Sequence, residues 1–126
     1  MLQAISSSQA PKAIGAYSQA ILANNTLYCS GQIPLDPLSG QIVGQSPAQQ
    51  TERVLKNLQS VLQKAGFSLD QVVRCEVYLA SIEDYQEVNQ VYQKYFNGKA
   101  KPARVTLEVS KLPKNALVEI SCIAVR

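Results

Sequence analysis

SPAQQTERVLKNLQSVLQKAG (Ser46 to Gly66), VVRCEVYLA (Val72 to Ala80) and SIEDYQEVNQVYQKYFNG (Ser81 to Gly98) read in turn as helix, strand and helix. The first segment opens with Ser46 at the N-cap, Pro47 at the first helical position and Gln49 completing a capping box. Thr51, Val54, Leu55, Leu58, Val61, Leu62 and Ala65 then recur at helical spacing until Gly66 stops the helix, so a helix is expected over 47–65. In the strand Val73, Cys75, Val77 and Leu79 share one face, with Arg74, Glu76 and Tyr78 on the other. In the second helix, capped within 81–84, Tyr85, Val88, Tyr92, Tyr95 and Phe96 form the expected buried stripe, and Asn97-Gly98 closes it. Asn89 lies one residue off that stripe. It is either a boundary residue or an amide aimed into a cleft.

On the N-terminal side, residues 2–5 can form a short strand, and residues 10–15 form a loop punctuated by Pro11 and Gly15. The runs 17–22 and 26–33 flank Asn24-Asn25, a hairpin signal with positive φ at the turn. Gly31 weakens the second of these strands unless backbone or ligand must approach closely there. Asp36-Pro37-Leu38-Ser39-Gly40 is a turn.

On the C-terminal side, residues 104–110 alternate strictly, with Arg104, Thr106 and Glu108 opposite an apolar face. Glu119 is a lone charge in the apolar run 117–123. The order β-β-β-α-β-α-β-β defines an α+β fold. Two amphipathic helices cover one face of so wide a sheet, and the other face calls for self-association with cyclic symmetry.

Residues 1–126 make one domain, with 46% hydrophobic and 17% charged residues, an ordinary globular balance. The net charge of +3 is scattered, whereas a nucleic-acid footprint would be clustered, so no nucleic-acid partner is expected. No run is long enough to span a membrane and no secretory signal is visible, which makes a cytoplasmic protein the expectation. Cys29, Cys75 and Cys122 sit singly in strand patterns and read as buried, reduced thiols. Histidine is absent, which excludes Ser-His and Cys-His pairs and the commonest zinc sites and leaves acid–base work to Glu, Asp, Tyr or Lys. Arg104 can hold a planar acid, and Glu119 is expensive to bury without a partner or a raised pKa. Together they suggest chemistry on a small carboxylic acid. A structural ion pair between them, or exposure of each to water, also produces this pattern, and on the pattern alone is the commoner explanation.

Gly15-Ala16-Tyr17-Ser18-Gln19, Ser30-Gly31-Gln32-Ile33-Pro34, the helix from Thr51 to Gly66, Val77-Tyr78-Leu79, Asn89 with Tyr92 and Tyr95-Phe96, Pro102-Ala103-Arg104, and Leu112-Pro113 with Val118-Glu119-Ile120 follow in order along nearly the whole chain. In this the sequence resembles the Rid family of reactive intermediate (imine/enamine) deaminases. The resemblance implies a chorismate-mutase-like mixed six-stranded sheet with two helices on one face. It further implies a homotrimer with a central barrel and sites at the subunit interfaces. The last two strands of the family are not hairpin neighbours, so Arg104 and Glu119 need not pair and can reach one cleft from different protomers.

The implied activity is hydrolysis of 2-iminobutanoate and 2-iminopropanoate, formed from enamines such as 2-aminoacrylate, to 2-oxo acids and ammonia, without metal or organic cofactor. By the same resemblance Arg104 grips the substrate carboxylate, while Glu119 orients or deprotonates the attacking water and shuttles a proton. Tyr17, Ser30 and Asn89 line the cleft, Gly31 permits close approach, and Thr106 stands where some members carry Cys. Tyr28, Tyr78 and the aromatics of the second helix are left to the core. Two other readings compete: a regulatory module that binds a 2-oxo acid without turning it over, and a ribonuclease, an activity attributed to some relatives. Glu119 weighs against a pure carboxylate binder. The missing histidine and the unclustered basic residues weigh against a ribonuclease.

Overall fold

The computed structural model describes residues 1–126. The elements follow the expected order: β1 (Leu2–Ile5), β2 (Ala20–Ala23), β3 (Thr26–Gln32), α1 (Pro47–Lys64), β4 (Val72–Leu79), α2 (Tyr85–Tyr95), β5 (Ala103–Glu108) and β6 (Val118–Val125). The capping box of α1 is formed as read, with Ser46 Oγ accepting from the Gln49 N–H at 3.1 Å and Gln49 Oε1 accepting from the Ser46 N–H at 3.3 Å. At its other end Gly66 takes φ +81°. Its N–H reaches the Gln63 carbonyl at 3.0 Å and the Phe67 N–H reaches the Leu62 carbonyl at 2.9 Å, the two bonds of a Schellman ending. The end of α2 differs from expectation. Gly98 has no positive φ, and the Asn97 side-chain amide instead donates to the Lys94 carbonyl at 3.0 Å.

All six strands form one mixed sheet in the order β1-β2-β3-β6-β4-β5. β4 and β5 are parallel, linked by α2 as the crossover, and every other pairing is antiparallel. β6 is thus inserted between β3 and β4, and β5 occupies the far edge. The β2–β3 hairpin turns at Asn24-Asn25, with φ +54° at Asn24. β2 starts at Ala20 rather than 17. The segment before it is held by Gln19, whose buried amide accepts from the Ser7 N–H at 2.6 Å and donates to the Pro11 carbonyl at 2.8 Å.

Both helices lie on one face of the sheet, α1 over β3 and β6 with α2 alongside it. Leu27, Val54, Leu55, Leu58, Leu62, Cys75, Val77, Leu79, Val118 and Ile120 are sealed between them. Every second residue of β6 (Val118, Ile120, Cys122, Ala124) points into this core, which sends Glu119, Ser121 and Ile123 to the opposite face. Cys29, Cys122 and Cys75 are register partners on three adjacent strands. The thiols expected to sit singly are a buried, unbridged row across the sheet.

Three sequence-level placements are corrected. Val73 is exposed and Val72 buried, because a bulge sets the β4 residues 72–74 against Ile123 and Ala124 of β6 and turns Val73 out. Tyr28, at 50% exposure, and the partly exposed Tyr78 lie on the helix-free face rather than in the core. In α2 the buried residues are Val88, Val91 and Tyr92, followed by Phe96, while Tyr85 is exposed. The helix-free face carries Ile21, Tyr28, Ile123, Val105, Tyr78 and Leu107 beside Arg74, Glu76 and Glu119, and no element of this chain covers it. No helix is long and apolar enough to cross a membrane.

Candidate active site

A second bulge builds the first part of the site. Cys29 opposes Cys122 and Gln32 opposes Ile120, so β3 fits one extra residue into the span that β6 crosses with Ser121. Ser30 and Gly31 both sit in the bulge, beside the β6 residue Glu119. A Cβ on Gly31 would fall on the Glu119 carboxylate and come within 2.9 Å of its Cδ, so only glycine leaves room for the side chain in this pose. Ser30 is tied in place. Its hydroxyl donates to the Ser18 carbonyl at 2.7 Å and its N–H to the Gln19 carbonyl at 2.9 Å. These residues open onto a cleft of about 860 Å³, whose lining includes Tyr17, Ser30, Gly31, Leu38, Lys114 and Glu119.

Two loops frame that cleft. Asp36 accepts from the N–H groups of Leu38 at 3.0 Å and Ser39 at 2.8 Å. The Ser39 bond first, with help from Leu38, holds its carboxyl below the usual range. Lys114 and Asn115 follow Pro113 with φ +56° and +57°, and Lys114 Nζ donates to the Gly40 carbonyl at 3.1 Å, linking the two loops. Behind them the fully buried Asn57 of α1 donates to the carbonyls of Leu35 at 3.0 Å and Ile33 at 3.3 Å and accepts from Arg53 Nε at 3.1 Å.

Glu119 is half-buried and has no hydrogen-bonded or ionic partner; burial alone pushes its carboxyl above the ordinary 4.5. A carboxylate with a raised pKa and no partner holds a proton more readily than an exposed one, which is the direction a proton-transfer group requires.

Arg104 is elsewhere. Its register partner on β4 is Cys75, whereas that of Glu119 is Tyr78. Alternate residues of β4 face opposite ways, so Arg104 and Glu119 lie on opposite faces of the sheet within one chain, and no salt bridge joins them. Arg104 projects to the helix side, where Nη1 donates to Asn89 Oδ1 at 2.7 Å and Nη2 to the Tyr85 hydroxyl at 2.7 Å. The guanidinium also lies 4.7 Å from the ring centre of Tyr92 and 5.5 Å from that of Tyr85. All of these partners are neutral. A half-buried arginine with its charge uncompensated and N–H groups to spare is chemically suited to hold an anion.

The candidate residues therefore fall into two groups. Tyr17, Ser30, Gly31 and Glu119 share the cleft, while Arg104 and Asn89, with Thr106 two residues along the same face of β5, share the far edge of the sheet. Within one chain the two groups do not meet. Tyr85 and Tyr92 read from the sequence as core residues, Gln19 only as part of a motif, and Asn57 draws no notice there, so none of the four is among the site residues the sequence predicts. The spacing of Tyr85, Asn89 and Tyr92 on one helical face, and the amide of Asn57 next to the apolar stripe of α1, are the signals that could have found three of them.

Comparison with known proteins bears on the family and the fold. Residues 7–126 match the family described as Endoribonuclease L-PSP. A RutC family protein of Saccharolobus solfataricus is 50% identical over 98% of both chains. The 2-iminobutanoate/2-iminopropanoate deaminase of Rattus norvegicus is 48% identical over 97% of this chain and 88% of its own. A solved structure of the conserved Rid family protein YyfA from Yersinia pestis superposes with a TM-score of 0.97 at 46% identity, each chain covered in full. The chain belongs to the Rid family, also known under the names RutC and L-PSP.

Proposed function

We propose that this protein is an imine/enamine deaminase that hydrolyses 2-iminobutanoate and 2-iminopropanoate to the 2-oxo acids and ammonia, with the two groups of site residues brought together between protomers of a cyclic homotrimer. The observation that carries the reading is Arg104, a half-buried cation held only by neutral partners. A relative at 48% identity bears the name of this activity. The uncovered, largely apolar sheet face supplies the surface for self-association, and β5, which carries Arg104, is the edge strand.

In this reading Arg104 fixes the substrate carboxylate through paired N–H donors, which a lysine would not reproduce. Glu119 of a neighbouring protomer takes a proton from water as the oxygen adds to the carbon of the protonated imine and returns it to the nitrogen of the resulting carbinolamine. The carbinolamine hydroxyl then gives its proton to Glu119 as the C=O bond forms, the C–N bond breaks and ammonia leaves. For an enamine, a protonated Glu119 first delivers a proton to the terminal carbon, giving the imine. The imine is reactive by itself, so orientation of water and substrate, worth several kcal/mol, is the main task of the protein.

A regulatory module that only holds a 2-oxo acid would share Arg104 but has no use for an unpaired carboxylate beside an anion. A ribonuclease, suggested by the family description, would call for a basic cluster that neither group of site residues has.

The test is release of ammonia and pyruvate from freshly generated 2-aminoacrylate by wild type, Arg104→Ala and Glu119→Gln. Acceleration by wild type and loss of most of it in both folded variants is expected. A wild-type rate equal to that in buffer would overturn the proposal, and retained pyruvate binding would then favour the regulatory module.

A further inference from the structure

The face of α2 that meets Arg104 is built more elaborately than binding of one side chain requires. Tyr85, Asn89 and Tyr92 succeed one another at spacings of four and three residues, so they stand in one line along the helix. Tyr92 is 6% exposed, and its hydroxyl is the one buried side-chain oxygen or nitrogen in the chain with no hydrogen-bond partner. A stranded phenol of this kind costs about 1–3 kcal/mol, and phenylalanine would avoid the cost. The Cys75 thiol is near enough to perturb this phenol without hydrogen-bonding to it, and Cys75 is the register partner of Arg104. Burial first, and then this thiol, hold the phenol neutral, while burial pushes the thiol up to about 11.

A neutral ring under the guanidinium attracts it through its π face without neutralising it. A carboxylate in the same place would cancel the charge that an acid substrate needs.

We infer that Tyr92 and Tyr85 are positioning residues for Arg104: the ring of Tyr92 is the floor on which the guanidinium lies, and the Tyr85 hydroxyl with the Asn89 amide fixes its rotation. The inference rests on the proposed use of Arg104 as the carboxylate grip. It extends that grip to aromatic residues on α2, buried against the core at Tyr92 and open to solvent at Tyr85. Guanidinium orientation is thereby set by α2, and the N–H groups not used by Asn89 and Tyr85 remain for the acid. Removing the floor leaves the charge in place but frees the side chain to swing.

The test measures binding of 2-oxobutanoate and of its neutral amide by calorimetry, together with KM and kcat on 2-aminoacrylate-derived imine, for wild type, Tyr92→Leu, Tyr92→Phe and Tyr85→Phe. Tyr92→Leu is expected to weaken oxo-acid binding and raise KM about tenfold with kcat within about twofold, and to erase most of the preference for acid over amide. Tyr92→Phe keeps the ring and should behave as wild type, while Tyr85→Phe should fall between. A Tyr92→Leu protein that melts earlier yet keeps the wild-type KM and acid-over-amide preference would overturn the inference and reduce Tyr92 to a packing residue. The binding arm also separates the two proposals. Tyr92-dependent oxo-acid binding without turnover would sustain the positioning role while the deaminase reading falls.

Discussion

The Glu119 carboxylate lies over the α-carbon of Gly31, in the space that any other residue at that position would fill with its Cβ. The atoms it would displace are the far end of a flexible side chain, not backbone, so the strand itself can absorb a substitution. Gly31→Ala should therefore keep its melting temperature within a few degrees while the carboxylate swings away. Displacement of a catalytic group by about 1 Å can lower a rate roughly 100-fold, and a loss of that order in kcat is expected. A Gly31→Ala protein with wild-type kcat would show that the position of Glu119 is not critical.

Glu119→Gln should stabilise the fold while removing activity. Because burial raises the native-state carboxyl above 4.5, the native state binds protons that the unfolded chain has already released. Stability contributed at this position falls as pH rises from about 4.5 through the native value and then stays low. Thermal melts should show Glu119→Gln above wild type at pH 7, with the gap closing toward pH 4. The same shift places the acid limb of the wild-type kcat/KM profile above 4.5, with activity lost as pH falls through it.

If each site takes Glu119 from one protomer and Arg104 from the next, inactive Arg104→Ala and Glu119→Gln proteins should complement one another. Unfolding and refolding an equal mixture would pair an intact Arg104 with an intact Glu119 in about a quarter of sites. Activity returning to roughly that fraction of wild type is expected. No recovery in well-mixed oligomers, checked by native mass spectrometry, would mean that one chain supplies both residues.

Asn57 joins α1 to the loop that frames the cleft, so its loss should be felt in two places. Asn57→Ala strands the Ile33 and Leu35 carbonyls and the Arg53 donor, and a destabilisation of about 2–3 kcal/mol by denaturant unfolding is expected. Activity at low temperature, where the variant is folded, should also fall because the Ile33–Gly40 wall is no longer anchored. Unchanged activity there would confine Asn57 to a stability role.

The helices, the element order and the hairpin at Asn24-Asn25 could be read from the sequence because each depends on residues a few positions apart. The box between Ser46 and Gln49 is entirely local, and it forms as read. Where the reading failed, pairing between distant strands decided the outcome. Val73 looks buried by alternation and is turned out by a bulge that exists only because β6 lies beside β4. An ion pair between Arg104 and Glu119, which the sequence pattern alone left open, does not form. The insertion of β6 between β3 and β4 gives them different β4 neighbours and opposite faces. Gly31 was visible as an anomaly, but the carboxylate that needs its missing Cβ is 88 positions further on. Tyr85 passed for a core residue because its spacing from Val88 and Tyr92 is that of a buried stripe, and the register of β5 against β4 is what sets Arg104 beside it.

The row of Cys29, Cys122 and Cys75 gives the molecule an internal clock. All three thiols are sealed between sheet and helices, so a bulky alkylating reagent cannot reach them in the closed fold. Each reacts only when helix and sheet separate, and the rate of modification under native conditions counts those openings directly. Cys75, next to the Arg104 edge, and Cys29, next to the bulge at Gly31, would time the two halves of the sheet separately without any label being added to the chain.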